Sequence, residues 1–214
     1  MRFAFFHVGE DITQPKRLVE SIYETNPDAE IYMAGDKDTP QIPGVYNRVD
    51  IRGNREDIMA MRLAGFTALV RDKPTFYLDT DMVVRTRLDP EELLGDKHIL
   101  FCRRTFNREA LFNTKFKDLD LSEYTNRSLD EVYPYLASCT VTRDWKAWGE
   151  MYAMLDHMNP KFKKWYGDQE ALKLYALNIP NKAIGLLHER DYACLPEHQE
   201  QFNAKILHYK GNRK

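Results

Sequence analysis

Cysteine is scarce in this chain of 214 residues: there are three, Cys102, Cys139 and Cys194, and no Cys-x-x-Cys pair. Such spacing offers neither a disulfide framework nor a thiolate metal site, and the odd thiol fits a reducing cytoplasm, the compartment we expect. No apolar run is long enough to span a membrane, and the apolar stretch at residues 3–6, followed at once by Glu10 and Asp11, is too short for a secretory leader. Positive charge is not in excess, with Lys plus Arg at 31 against Asp plus Glu at 33, so nothing marks a general nucleic-acid binder. Linker-like Ser/Gly tracts, low-complexity segments and internal repeats are also missing. With 43% apolar residues, residues 1–214 suit one large α/β domain.

Apolar periodicity predicts the elements. Strands are expected at residues 2–8, 29–34, 45–51, 97–103 and 133–142, and a short one at 204–207. Helices are expected from Pro15, with Leu18, Val19, Ile22 and Tyr23 on one face, over 56–71, and over 144–157, with Trp145, Trp148, Tyr152 and Leu155 on a stripe that reads as core. Strands alternating with helices imply a mostly parallel sheet covered by helices on both faces. Residues 105–130 are long, polar and rich in Asn, Arg and Lys. They read as an acceptor-recognition insert or as a mobile loop.

The run Thr75-Phe76-Tyr77-Leu78-Asp79-Thr80-Asp81-Met82-Val83-Val84 interrupts a buried strand with two carboxylates. With 18 aspartates in the chain, chance alone predicts about 1.5 Asp-x-Asp triplets. Three occur. Asp36/Asp38 lies in a Gly-Asp-Lys-Asp-Thr-Pro turn and Asp118/Asp120 in a Lys-rich segment, where solvated loop acids are the ordinary explanation. Only Asp79/Asp81 ends an apolar strand, where unpaired carboxylates are costly. Alternation puts both on one side of an extended chain, within reach of one cation, with Thr80 pointing away. Oxygen ligands suit Mg²⁺ or Mn²⁺. The plainer alternative is a pair of strand-end acids bonded to Arg85 or Arg87.

The final segment, His208-Tyr209-Lys210-Gly211-Asn212-Arg213-Lys214, matches His-x-x-Gly-x-x-Lys, a pattern expected by chance only about 0.02 times at this composition. An imidazole can complete a metal shell, glycine admits an anion close to the backbone, and lysine offers a point charge for phosphate. Arg62 sits in a helix that is apolar nearly all round and must find an anion there. Asp79, Asp81 or a nearby Glu could supply it, as could a donor diphosphate or a sugar hydroxyl. Asp168, after Gly167 and before Gln169-Glu170-Ala171-Leu172, reads as a helix N-cap. Trp165 and Tyr166 are aromatic candidates for a sugar ring or for packing.

Together, the Tyr-Leu-Asp-x-Asp-x-Val-Val strand, the terminal His-x-x-Gly-x-x-Lys, Met61-Arg62-Leu63 and Gly167-Asp168-Gln169-Glu170-Ala171-Leu172 resemble, in order, the retaining glycosyltransferases of family 8. That group includes glycogenin and bacterial lipopolysaccharide galactosyltransferases. The family's Asn-Ala-Gly triplet finds its nearest equivalent in Leu136-Ala137-Ser138-Cys139, without the Asn. The resemblance implies a single GT-A-like α/β domain and transfer of a hexose from a UDP-sugar donor, with retention, to an acceptor that the sequence does not identify. It implies Mn²⁺ or Mg²⁺ on Asp79, Asp81 and His208. Donor contacts would come from Phe6, His7 and Val8 at the first strand's end, from Arg62, Gly211 and Lys214, and from Thr80 near the ribose. Asp168 would hold donor hydroxyls and Gln169 would lie beside the anomeric carbon. Three alternatives stand beside this reading. They are a family 32-like transferase, a metal-dependent nucleotidyltransferase, which the lack of a Gly-rich phosphate loop after the first strand disfavours, and a non-catalytic nucleotide-sugar-binding module.

Overall fold

A computed structural model describes residues 1–69, 73–116 and 119–210 of the protein. In chain order it comprises β1 (Arg2–Phe6), α1 (Thr13–Thr25), β2 (Glu30–Gly35), β3 (Asn47–Asp50), α2 (Ile58–Leu69), β4 (Thr75–Leu78), β5 (Met82–Val84), α3 (Pro90–Leu94) and β6 (Ile99–Arg103). There follow β7 (Lys115–Phe116), β8 (Leu119–Asp120), α4 (Leu129–Val132), β9 (Tyr135–Thr142), α5 (Lys146–Asp156), α6 (Gly167–Asn178), β10 (Ile184–His188), α7 (Glu189–Tyr192) and β11 (Ile206–His208). Seven strands form the main sheet in the order β10-β6-β9-β4-β1-β2-β3. All run one way except β9, which is antiparallel to both neighbours. The expected mostly parallel α/β sheet is therefore present.

Alternation along the central strands builds two cores, one per face. Phe3 and Phe5 of β1 and Phe76 and Leu78 of β4 pack with Leu18, Val19 and Ile22 of α1. Ala4 and Tyr77, pointing the other way, pack with Leu63 and Phe66 of α2, Trp148 and Met151 of α5, and Leu172 of α6. Helices thus cover both faces, and each fully buried Phe or Leu contributes roughly 1.5–3 kcal/mol relative to exposure. A sheet buried on both sides explains why these strands read as continuous apolar runs.

Three expectations need revision. The run at 75–84 is not one strand: it breaks at Asp79, and β5 joins β11 in a separate two-stranded sheet. The helix expected over 56–71 opens with a 3-10 turn, Arg55–Asp57, capped by the Asn54 side chain accepting from the Glu56 N–H; Val70 and Arg71 lie outside the described residues. Residues 105–130 are more than a loop. Phe112, Leu119, Leu121 and Tyr124 form an apolar cluster with Tyr133, Trp165 and Tyr166, and Ser128 and Glu131 close a reciprocal capping box on α4. Among the described residues no helix is long and apolar enough to cross a membrane.

Candidate active site

β4 ends at the carboxyl edge of the sheet, where ligands of open α/β sheets gather. The Asp79 N–H donates to the Ser138 carbonyl (3.0 Å) as the last rung to β9. The chain then turns through Thr80 and Asp81 into β5, which pairs antiparallel with β11 so that Met82 faces His208. The Tyr209 N–H donates to the Asp81 carbonyl (2.9 Å) and the His208 N–H to the Cys194 carbonyl (2.8 Å). Backbone register thus delivers the imidazole to the acid pair. Nε2 of His208 lies 3.1 Å from Asp81 Oδ1 and 3.8 Å from Asp79 Oδ2. One ligand atom from each of the three residues falls within 4.8 Å of the others. Asp81 Oδ1 is buried without a hydrogen-bond partner despite that contact, as is His208 Nδ1. A cation shared by the three residues would satisfy this buried acceptor, so they fit a divalent ion. Burial acts to raise the Asp81 carboxyl, but the imidazole and Arg62 outweigh it and hold it below its ordinary value.

Arg62 of α2 reaches the same acids from the other side. Its guanidinium lies 2.5 Å from Asp79 Oδ1 and 3.0 Å from Asp168 Oδ2, and donates to the Ala137 carbonyl at 2.9 Å. Arg85 and Arg87, the plainer partners for the acid pair, instead meet Gln199 and Asp28. The Ala137 carbonyl is available because β9 bulges. Phe101 pairs with Thr140 but Cys102 with Leu136, so Ala137–Cys139 drop out of register with β6. Gln169 uses the same bulge: its Oε1 accepts the Ala137 N–H at 3.2 Å, and its Nε2 donates to the Tyr135 carbonyl.

Asp168 is not the N-cap of α6. Tyr166 takes that place in the left-handed region (φ 59°) and Gly167 is the first helical residue. Gly167 is required by close approach, because a Cβ there would sit 2.1 Å from the Phe162 carbonyl oxygen. Asp168, one turn position deeper, accepts the Gln169 N–H (2.8 Å) and pairs with Arg62. Burial is the main influence on its carboxyl and, although Arg62 opposes it, the value stands above the ordinary one.

These groups line one cavity of ≈ 480 Å³, with Asp79, Asp81, His208, Arg62 and Asp168 on one side and Phe112, Phe116, Tyr133, Trp165 and Tyr166 on another. An adjoining cavity of ≈ 230 Å³ takes in Phe6 and Thr80 beside Asp79, Asp81 and Arg62. Phe6, Thr80, Arg62, Asp168 and Gln169 are thus brought to the acid pair. His7 and Val8 line neither cavity. The His7 Nε2 is buried without a partner, and burial lowers that ring's pKa. Gly211 and Lys214 lie outside the described residues, as does Asp118. Asp36, expected as a solvated turn acid, is instead buried and bonded to Arg55 and Thr39.

Among the residues lining the cavity, Arg104, Ser138 and Lys210 carry charge or a hydroxyl and escaped the sequence reading. Lys210 occupies a variable position of the tail motif, and Arg104 sits in an Arg-Arg pair at a strand end with no pattern to single it out. Ser138 stands in the Leu-Ala-Ser-Cys segment where the sequence showed only a missing Asn.

No protein-family model and no curated protein sequence matches the chain. Solved structures do. The galactosyltransferase LgtC, in complex with donor and acceptor sugar analogues, is 19% identical, with 100% of this chain and 88% of that chain covered at a TM-score of 0.53. An active-site mutant of LgtC, in which glutamate replaces a glutamine, gives 17% identity, 99% and 88% coverage and a TM-score of 0.55. A glycosyltransferase involved in glycosylation of the major capsid of PBCV-1 is 11% identical, with 100% and 96% covered at a TM-score of 0.59. At such identities the likeness is one of fold: the chain has the GT-A-like α/β fold of glycosyltransferases.

Proposed function

We propose that this protein is a metal-dependent glycosyltransferase that moves a hexose from a UDP-sugar to an acceptor hydroxyl with retention at the anomeric carbon. The observation that carries this reading is the convergence of Asp79, Asp81 and His208, from the middle and the far end of the chain, on one point of a cavity in a glycosyltransferase fold. Two carboxylates and an imidazole suit Mn²⁺ or Mg²⁺. When bound, the ion supplies Lewis-acid stabilisation of the departing diphosphate.

The chain's own residues account for the rest. The small cavity beside Phe6 and Thr80 takes the nucleoside, which leaves the sugar in the larger one. Arg62, already fixed by two carboxylates and a carbonyl, presents preorganised positive charge where the leaving group gains negative charge. Asp168 holds donor hydroxyls. Gln169 has both ends of its amide committed to the β9 bulge, so it is held beside the anomeric carbon and does not attack it. The aromatic wall from residues 105–130 and Trp165-Tyr166 bounds the acceptor side, and the whole of residues 1–214 serves as one catalytic domain acting in the cytoplasm.

The test is turnover of UDP-glucose and UDP-galactose with Mn²⁺ and with EDTA, in wild type, Asp81→Ala and His208→Ala. We expect metal-dependent release of UDP that both substitutions abolish. Unchanged turnover in either variant would sink the reading. Pyrophosphate release from a sugar phosphate and an NTP would mark a nucleotidyltransferase instead. UDP binding indifferent to metal, without turnover, would mark a binding module.

A further inference from the structure

We propose that Lys210 is an additional cation for the donor diphosphate and that Glu189 is its positioning residue, tying it to the root of the 105–130 segment. The inference rests on the glycosyltransferase reading above and adds a site residue and a connection to it. Glu189 opens α7 and is 1% exposed, a setting in which a carboxylate is strongly disfavoured unless bonded. Its partners come from two distant segments. Oε2 accepts the N–H groups of Thr105 (2.7 Å) and Phe106 (2.9 Å), and Oε1 accepts from Lys210 Nζ (2.9 Å).

Topology explains the meeting. β10 runs parallel to β6 with His188 opposite Arg103, so the residue after one strand meets the backbone after the other. β11 ends at His208, two residues before Lys210. One carboxylate therefore holds the first residues of the insert that walls the cavity and the residue two positions after the proposed metal ligand.

Lys210 lines the same cavity as Asp79, Asp81 and His208, and its side chain is 31% exposed. An ammonium has three N–H donors, of which Glu189 takes one. The two backbone donors already offset part of the Glu189 charge, so Lys210 is not fully neutralised by it. Arg104 also lines the cavity, with its Nε donating to the Tyr133 carbonyl at 3.0 Å, and Lys210 adds a further cation. Arg62 is shared between Asp79 and Asp168, and an incoming diphosphate adds at least two negative charges to a cavity that already holds three carboxylates. A phosphate oxygen meeting Lys210 would supply the missing partner while Glu189 keeps the ammonium on the cavity wall.

The experiment measures calorimetric binding of UDP and of inorganic pyrophosphate in the presence of Mn²⁺, with uridine followed by ligand-observed NMR. It compares the wild type with Lys210→Met, Lys210→Arg and Glu189→Gln. Lys210→Met is expected to weaken UDP and pyrophosphate about tenfold, as for loss of one charge-assisted contact, with uridine unchanged. Lys210→Arg, which keeps the charge, should recover most of that affinity. Glu189→Gln should weaken pyrophosphate in the same sense and speed amide exchange at Thr105 and Phe106. Should that variant not fold, Lys210→Met decides. Wild-type pyrophosphate affinity in Lys210→Met overturns the inference while leaving the glycosyltransferase reading intact, and so does a loss for uridine equal to that for pyrophosphate. If the wild type binds neither UDP nor pyrophosphate with Mn²⁺, both fall together.

Discussion

Replacing Arg62 by Met tests how the site is held together before any substrate arrives. The guanidinium side chain is 13% exposed and the carboxylates it bridges, Asp79 and Asp168, are 26% and 11% exposed. Removing it leaves Asp168 charged, buried and without a cation, and breaking one side of such a pair costs roughly 3–5 kcal/mol. For a chain of this length that corresponds to a fall in Tm of roughly 6–20 °C. The deficit must depend on pH. Burial already holds the folded-state carboxyl of Asp168 above its unfolded value of 3.8, against the opposing pull of Arg62; without Arg62 it rises further. An acid with a raised folded value binds more protons folded than unfolded, so stability falls as pH rises through that window. Calorimetry of metal-free Arg62→Met should therefore show its largest deficit near pH 8 and a smaller one as pH approaches 3.8. Adding Asp168→Asn, which removes the stranded charge, should recover about 2 kcal/mol at pH 8. The reasoning fails if Arg62→Met melts with the wild type at pH 8, if its deficit ignores pH, or if Asp168→Asn brings no relief.

Other outcomes follow from single contacts. The Asp36 carboxyl is held down to about 2, chiefly by the Arg55 hydrogen bond, so its contribution to stability is full above 3.8 and lost as pH falls through about 2. Urea midpoints of Arg55→Ala should accordingly match wild type more closely at pH 2 than at pH 5, and a constant gap would refute the pairing. Gly167→Ala forces a Cβ to 2.1 Å from the Phe162 carbonyl and 2.7 Å from Leu155. It should destabilise by about 1–3 kcal/mol, read as a lower thermal midpoint, and wild-type stability would show that the close approach is dispensable. All three cysteines are buried and burial raises each thiol. Native protein at pH 8 should react with a disulfide reagent far more slowly than unfolded protein, and fast labelling of any thiol would contradict that burial.

Much of the fold was legible because it is written in local periodicity. Phe3, Ala4 and Phe5 alternate between two apolar faces, and so do Phe76, Tyr77 and Leu78, which is the signature of a sheet covered on both sides. The acid pair was legible for a related reason: of three Asp-x-Asp triplets only one ends an apolar run, and that one forms the three-residue cluster with His208. Asp79 and Asp81 are brought together by something other than strand alternation. They do not share a side of one extended strand; they occupy a turn between strands of two different sheets.

The sequence by itself therefore determined most of the central strands, the main covering helices and the residue types fit for a divalent cation, because those follow from spacing along the chain, whereas the edge strand β10 carried no such signal. Tertiary structure alone decided what meets what. Pairing of β5 with β11 delivers His208 to the acids, the β9 bulge frees the Ala137 backbone for Arg62 and Gln169, and a left-handed Tyr166 moves Asp168 from cap to ion pair. Glu189 gathers donors from positions 105, 106 and 210. Register between strands far apart in sequence, and the burial of a charge until it finds a partner, are properties of the packed molecule, and no local pattern of residues carries them.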